Sequence, residues 1–239
     1  MSARRRRAMR QWVLWALAAC ALAGALLPTW AVSAAPDEEA KGTLDRAVRF
    51  LQEAQNLDGG FGGEVGGASD PGFSSWAAYA LAAAGINPQD QSQQGGVDVY
   101  TYLTRNTDGL EQTTDFDRVA LVAIASDTSP FEFGRVRPIE RMLERQLPDG
   151  SFTQKPGQKQ GWVNATVWSI FPLSTIDARW AEESVRRAAQ WLLDNQRSDG
   201  GWGWGAGGDG GLVDTDTTGA VIQALNAAGM HGSEAERKA

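Results

Sequence analysis

Cysteine and histidine are almost absent from this chain, which has only Cys20 and His231. Cys20 falls in an N-terminal segment that reads as a removable leader, so the processed product has no thiol. That excludes disulfides, thiolate metal sites and a cysteine nucleophile together. His231 sits in a Gly-Met-His-Gly-Ser turn and reads as a solvated loop residue. It leaves no histidine for Ser-His-Asp or Cys-His hydrolysis. Basic blocks are missing beyond the first ten residues, and no aromatic-basic interleaving follows the pattern that tracks a phosphate backbone, so nucleic acid is not an expected partner.

The basic residues at the start are concentrated: Arg4, Arg5, Arg6, Arg7 and Arg10 precede a stretch from Gln11 to Pro36 with no charge. This pattern is that of an export signal. Cleavage after Ala34 fits the small residues Val32 and Ala34 and avoids leaving Pro36 at the new terminus. Residues 1–34 are then the signal peptide and 35–42 a short linker. Two other readings stay open, an uncleaved anchor through residues 12–35 and a lipoprotein box at Leu17-Ala18-Ala19-Cys20. Losing residues 1–34 removes five Arg and no acid, leaving 17 basic against 29 acidic residues, a net charge of −12. The remainder is long enough for one domain of ordinary size.

What the chain does have is a spacing that recurs. A basic residue, a small residue or Pro, an apolar residue, Gln, Gly and an aromatic appear at identical offsets three times. The copies are Arg46, Ala47, Leu51, Gln55, Gly59, Phe61; Arg137, Pro138, Met142, Gln146, Gly150, Phe152; and Arg187, Ala188, Leu192, Gln196, Gly200, Trp202. Three copies without slippage define a repeat array. Within each, the second, third and fourth members lie four residues apart, on one stripe of an amphipathic helix. Asp58-Gly59, Asp149-Gly150 and Asp199-Gly200 are expected to stop these helices, because Gly tolerates positive φ past the last turn. A fourth stop is expected at Asp108-Gly109, in a degenerate unit with Arg105 and Thr101 at the Gln and apolar positions. After each stop comes a second, Ala-rich apolar segment: Trp76 to Ala84, Val119 to Ala125, Ala165 to Leu173 and Gly219 to Ala228. These predict helices buried on most sides.

The Gln-x3-Gly-x-Trp pattern with an upstream basic-small pair resembles the QW motif of squalene and oxidosqualene cyclases, and more broadly the prenyltransferase and squalene-cyclase repeat group. The resemblance runs over about residues 41–239 and is fullest at Gln196 to Trp202. It implies an all-α fold, an α/α toroid of about six helix pairs whose inner helices line a cavity. The Gln-aromatic motif has a structural role, tying the outer ends. Residues 43–239 would form a partial ring of about four units. Ser233-x-x-Glu236 reads as a capping box, and Lys238-Ala239 as the basic-small pair of an interrupted fifth copy. Further repeats or self-association are expected to complete the ring.

Candidate chemistry rests on carboxylates before the inner helices. Asp115-Phe-Asp117 and Asp214-Thr-Asp216 correspond to Asp70 and Gly72, and to Trp162 and Asn164, in the other units. One reading is helix capping by Asp117, Asn164 and Asp216. The other follows from the resemblance: Asp214 to Thr218 looks like the DxDD-T motif of squalene-hopene and class II terpene cyclases, in which the middle Asp protonates an alkene or epoxide. That makes Asp216 the candidate general acid with Asp214 beside it, although Thr217 replaces the last Asp. α/α toroids also host glycosidases with paired carboxylates, for which Asp117 and Asp216 are the candidate pair. Protein prenyltransferases of this fold bind zinc through Asp, Cys and His, a set this chain lacks; no metal or cofactor is expected. Against a cyclase stands binding of an apolar or amphipathic small molecule without catalysis, as in extracytoplasmic cobalamin carriers. Its cavity would be lined by Trp76, Tyr79, Asp117, Asn164 and Trp168.

Overall fold

The computed structural model describes residues 37–205 and 212–230. Eight helices follow one another: α1 (Asp37–Ala54), α2 (Pro71–Ala83), α3 (Val99–Arg105), α4 (Thr113–Ala125), α5 (Pro138–Leu143), α6 (Val163–Ser174), α7 (Arg179–Asp194) and α8 (Thr215–Ala227). The predicted Ala-rich segments are the even-numbered helices, and these pack side by side in the order α2, α4, α6, α8. The odd-numbered helices lie outside them, α3 between α2 and α4, α7 between α6 and α8. Among the described residues there is no β-strand, only two isolated bridges. α1 begins at Asp37, so residues 37–42 are helical where a linker was expected.

Composition explains the two rings. α2 and α6 carry no charged residue, and the faces between inner helices are filled by Ala78, Leu81, Ala120, Val119, Ala165, Ile170, Val221 and Ala224, all fully buried. Small side chains let the helix axes approach. α7 is amphipathic instead: Ala181, Val185, Ala188, Ala189 and Leu192 are buried, while Glu183 and Arg186 pair on the outer side.

The recurring Gln, Gly and aromatic build the same turn three times. Gln55, Gln146 and Gln196 each donate from Nε2 to the carbonyl of the glycine four residues on, at 2.9, 3.0 and 2.6 Å. Those glycines have φ of 91°, 97° and 93°, a region that L side chains rarely enter. Gly59 also has no room for a Cβ, which would stand 2.6 Å from the Asp98 carbonyl oxygen. Gly150 is pressed equally against the Arg187 carbonyl. The aromatics Phe61, Phe152 and Trp202 are buried. Their backbone N–H groups donate to Ser74, Thr166 and Thr218, hydroxyls at the same depth in α2, α6 and α8. Each turn is thus fastened to its own inner helix.

The glutamine also joins neighbouring units. Gln146 donates to the Ser184 carbonyl at 2.9 Å and accepts from Ser184 Oγ and from the Arg187 guanidinium at 2.8 and 2.6 Å. Gln55 bonds reciprocally with Gln91, ahead of α3. The basic residue of the last copy, Arg187, therefore answers the glutamine of the preceding one. The expected stop at Gly109 is a correction. α3 ends at Arg105 with Asn106 as its C-cap, and Gly109 is not among the glycines with positive φ, because without the motif Gln nothing holds a left-handed turn there. Ser233, Glu236, Lys238 and Ala239 lie outside the described residues.

Candidate functional site

The inner helices begin with their caps, and the caps set the register of everything that faces the ring's interior. Asp70 caps α2 through Gly72 and Phe73 N–H. Gln112 precedes α4, where the Asp115 side chain accepts from the Gln112 N–H at 2.8 Å. Trp162 precedes α6, and Asp214 caps α8 through the Thr217 N–H at 2.6 Å. The capping expected of Asp117, Asn164 and Asp216 is thereby overturned. Asp216 and Asn164 are the second residues of their helices and Asp117 is the fifth. Asp115-x-Asp117 and Asp214-x-Asp216 are three positions out of register, because a Gln rather than an Asp opens α4.

In the correct register Trp76, Arg118, Trp168 and Ala220 are equivalent, each the sixth residue of its helix. Trp76 and Trp168 reach across α4 and meet edge to face, their ring centroids 4.9 Å apart with planes at 87°. Tyr79 and Phe171 stand edge-on to Trp168 at 6.0 and 5.6 Å. Arg118 lies beneath, its guanidinium 5.0 Å from the Trp76 ring centre. It donates to Asp115 Oδ1 at 2.6 Å and to Ser75 Oγ at 3.0 Å.

Beside this aromatic wall lies a cavity of about 430 Å³, bounded by Tyr79, Trp168 and Phe171 on one side and by Asp216, Ala220 and Gln223 of α8 on the other. Thr215 and Gly219 complete it. Positions 216, 219, 220 and 223 share one helical face, so α8 offers an anion, a floor of small residues and an amide in sequence. A larger depression of about 560 Å³ lies on the outer ring between α5 and α7. Its polar members Gln146, Ser184 and Arg187 are already engaged with one another in the turn described above and Glu183 is paired with Arg186, so it has no chemistry to spare.

Of the expected cavity residues, Tyr79 and Trp168 line the cavity and Trp76 extends their aromatic wall, its surface 43% exposed. Asp117 is a correction, since it is fully buried between helices and does not reach the cavity. Its Oδ1 accepts from Ser169 Oγ at 3.1 Å, and its Oδ2 has no donor. Burial drives its pKa well above the ordinary carboxylate range; the Ser169 hydrogen bond and the Arg118 charge oppose this, and Asp115 adds to it. Asn164 stands at the α6 N-terminus beside Trp204, whose carbonyl accepts from its N–H, and is not part of the cavity lining.

Asp214 and Asp216 do not act as a pair. Asp214 uses both oxygens on Thr217, accepting from its N–H and, at 2.9 Å, from its hydroxyl. Asp216 is exposed at the cavity rim with no hydrogen-bond donor among the described residues. The enclosure by which an acid stores a proton is built around Asp117, not around Asp216. Nor do Asp117 and Asp216 share a cavity as glycosidase carboxylates would. Arg118, Ser169 and Gln223 were not anticipated. Counting from Gln112 instead of Asp115 would have aligned Arg118 with the two tryptophans. Among the described residues no three His, Cys, Asp or Glu side chains cluster as metal ligands, and no helix is long and apolar enough to cross a membrane.

Comparisons with known proteins agree with this architecture. Residues 113–239, over half of the chain, match the squalene-hopene cyclase C-terminal domain, and residues 8–108 match the prenyltransferase alpha-alpha toroid domain. No curated protein sequence matches the chain. Among solved structures, ent-copalyl diphosphate synthase from Streptomyces platensis has a similar fold, with a TM-score of 0.57 and 23% identity over 96% of this chain. The chain spans 41% of that protein's length. The three Gln-Gly-aromatic turns, the paired rings of helices and the match over α4 to α8 place this chain in the squalene-hopene cyclase C-terminal domain family, with the α/α toroid fold.

Proposed function

We propose that the chain is an exported repeat protein that holds an apolar or amphipathic small molecule against its inner face without transforming it. One observation carries this reading: four aromatic rings gather beside an open cavity of about 430 Å³ whose carboxylate, Asp216, is exposed rather than enclosed. Apolar surface with a few polar anchors is what a small-molecule site offers. Export is the part of the proposal that rests on Arg4 to Arg7 and the uncharged run after them. It predicts a secreted product beginning at Ala35, which N-terminal sequencing would read.

Native mass spectrometry of the purified protein is expected to show a retained small molecule, displaced by an excess of an alkyl ligand. Trp168→Ala should lose it while keeping the helical circular-dichroism spectrum. An empty protein that turns over squalene or a prenyl diphosphate would overturn the reading.

A second reading is favoured by Asp214 to Thr218, which looks like the acid motif of class II cyclases, and by the name of the structural neighbour, a diphosphate synthase. In it Asp216 is the general acid. Asp216→Asn would then abolish product formation and leave folding intact. For its partners, we propose that further repeat units, either additional sequence or a second copy, seat against α1. Ala40, Thr43, Leu44 and Ala47 there are exposed, whereas their counterparts in α7, Ala181, Ser184, Val185 and Ala188, are buried by the preceding unit.

A further inference from the structure

We infer that the inner-face site selects an amphiphile with a cationic ammonium head, its apolar body lying against Tyr79, Trp168 and Phe171 and its head at Asp216. This rests on the binding role proposed above and narrows it. The first argument is a census of charge. Arg118 is the only Lys or Arg on α2, α4, α6 and α8. It is 8% exposed, ion-paired to Asp115 and bonded to Ser75. A phosphate, diphosphate or carboxylate entering the cavity would therefore meet the Asp216 carboxylate with no cation free on these helices to answer it.

The second argument is the surface the cavity presents. Among the described residues Asp216 is the only charged one in its lining, exposed and without a donor. The wall opposite α8 consists of aromatic rings, which attract cations to their faces. The same wall already holds one, the Arg118 guanidinium over Trp76. Gly219 and Ala220 sit between Asp216 and Gln223 on α8 and leave width for a bulky head. Asp216 in the first turn of α8 also favours the helix dipole, a role that predicts an effect on stability but none on ligand charge.

The test is calorimetric titration of the full chain with three ligands of one alkyl length, decyltrimethylammonium, decyl maltoside and decyl phosphate, below their micelle concentrations. The ammonium ligand is expected to bind about tenfold more tightly than the maltoside, with the phosphate weakest, and added salt should narrow the spread. Asp216→Asn should remove the preference for the ammonium ligand over the maltoside, and Asp216→Lys should favour the phosphate. Equal binding of all three, tighter phosphate binding, or a preference that survives in Asp216→Asn would overturn the inference while leaving the binding role standing. Binding of none of the three would overturn the binding role itself, and this inference with it.

Discussion

Asp117 shows how much one side chain can depend on its surroundings. Its carboxyl is buried with a single hydrogen bond, so the neutral form is the one that the fold accommodates. A carboxyl whose folded pKa lies above its unfolded value adds stability that is whole below the unfolded pKa and is lost as pH rises through the folded one. Urea midpoints of the protein should therefore fall between acid and alkaline pH. Asp117→Asn, which keeps an oxygen for Ser169 and cannot ionise, should flatten that fall and be the more stable form by ~1–2 kcal/mol at alkaline pH. Identical slopes for the two proteins would mean that Asp117 does not titrate differently on folding. Gly150 is the other residue that bears an outsized load. Alanine there needs a left-handed backbone and collides with the Arg187 carbonyl, so Gly150→Ala should cost ~2–3 kcal/mol in chemical denaturation. Gly157→Ala, with positive φ but open space around it, should cost ~1 kcal/mol. Equal losses would show that the close approach is not what matters.

Between elements, the repeat works through a few directed bonds, and this is why so much of it could be read in advance. Gln, Gly and the aromatic act within seven residues of each other, and local geometry of that kind leaves fixed offsets behind. The alternation of charged and uncharged helices was equally plain, since α2 and α6 can only be interior. The register of α4 was hidden, because Gln112 replaces the Asp that opens α2 and α8, and a one-turn error moved Asp117 from the core to the cavity. Arg118 was missed for the same reason. The link from Gln146 to Ser184 and Arg187 joins residues far apart in sequence, and no local pattern announces it. Gln146→Ala removes four hydrogen bonds at once and should destabilise the protein by ~2–4 kcal/mol. Arg187→Met, which keeps the stem and loses one of the four, should cost less than half as much. Thermal melts of the pair would show whether the tie between units carries that weight.

At the scale of the molecule, stability should be graded along the array. α4 and α6 are flanked by inner helices on both sides, whereas α1 has its main helix contact with α2 and leaves Leu44 and Phe50 52% and 59% exposed. Hydrogen exchange should be fastest in the first half of α1 and slowest in α4 and α6; uniform protection would mean that the units unfold as one. The gathered aromatics have another consequence, which is optical. Two indoles 4.9 Å apart with planes nearly perpendicular have coupled electronic transitions, so Trp76 and Trp168 should give the ultraviolet circular-dichroism spectrum a two-signed exciton band. Removing either ring should take away that pair's share of the band and leave the share of Trp162 and Trp204, whose rings are 5.0 Å apart at 82°. A molecule entering between the rings would change its amplitude, so the protein has a label-free signal for occupancy at the point where its inner ring opens.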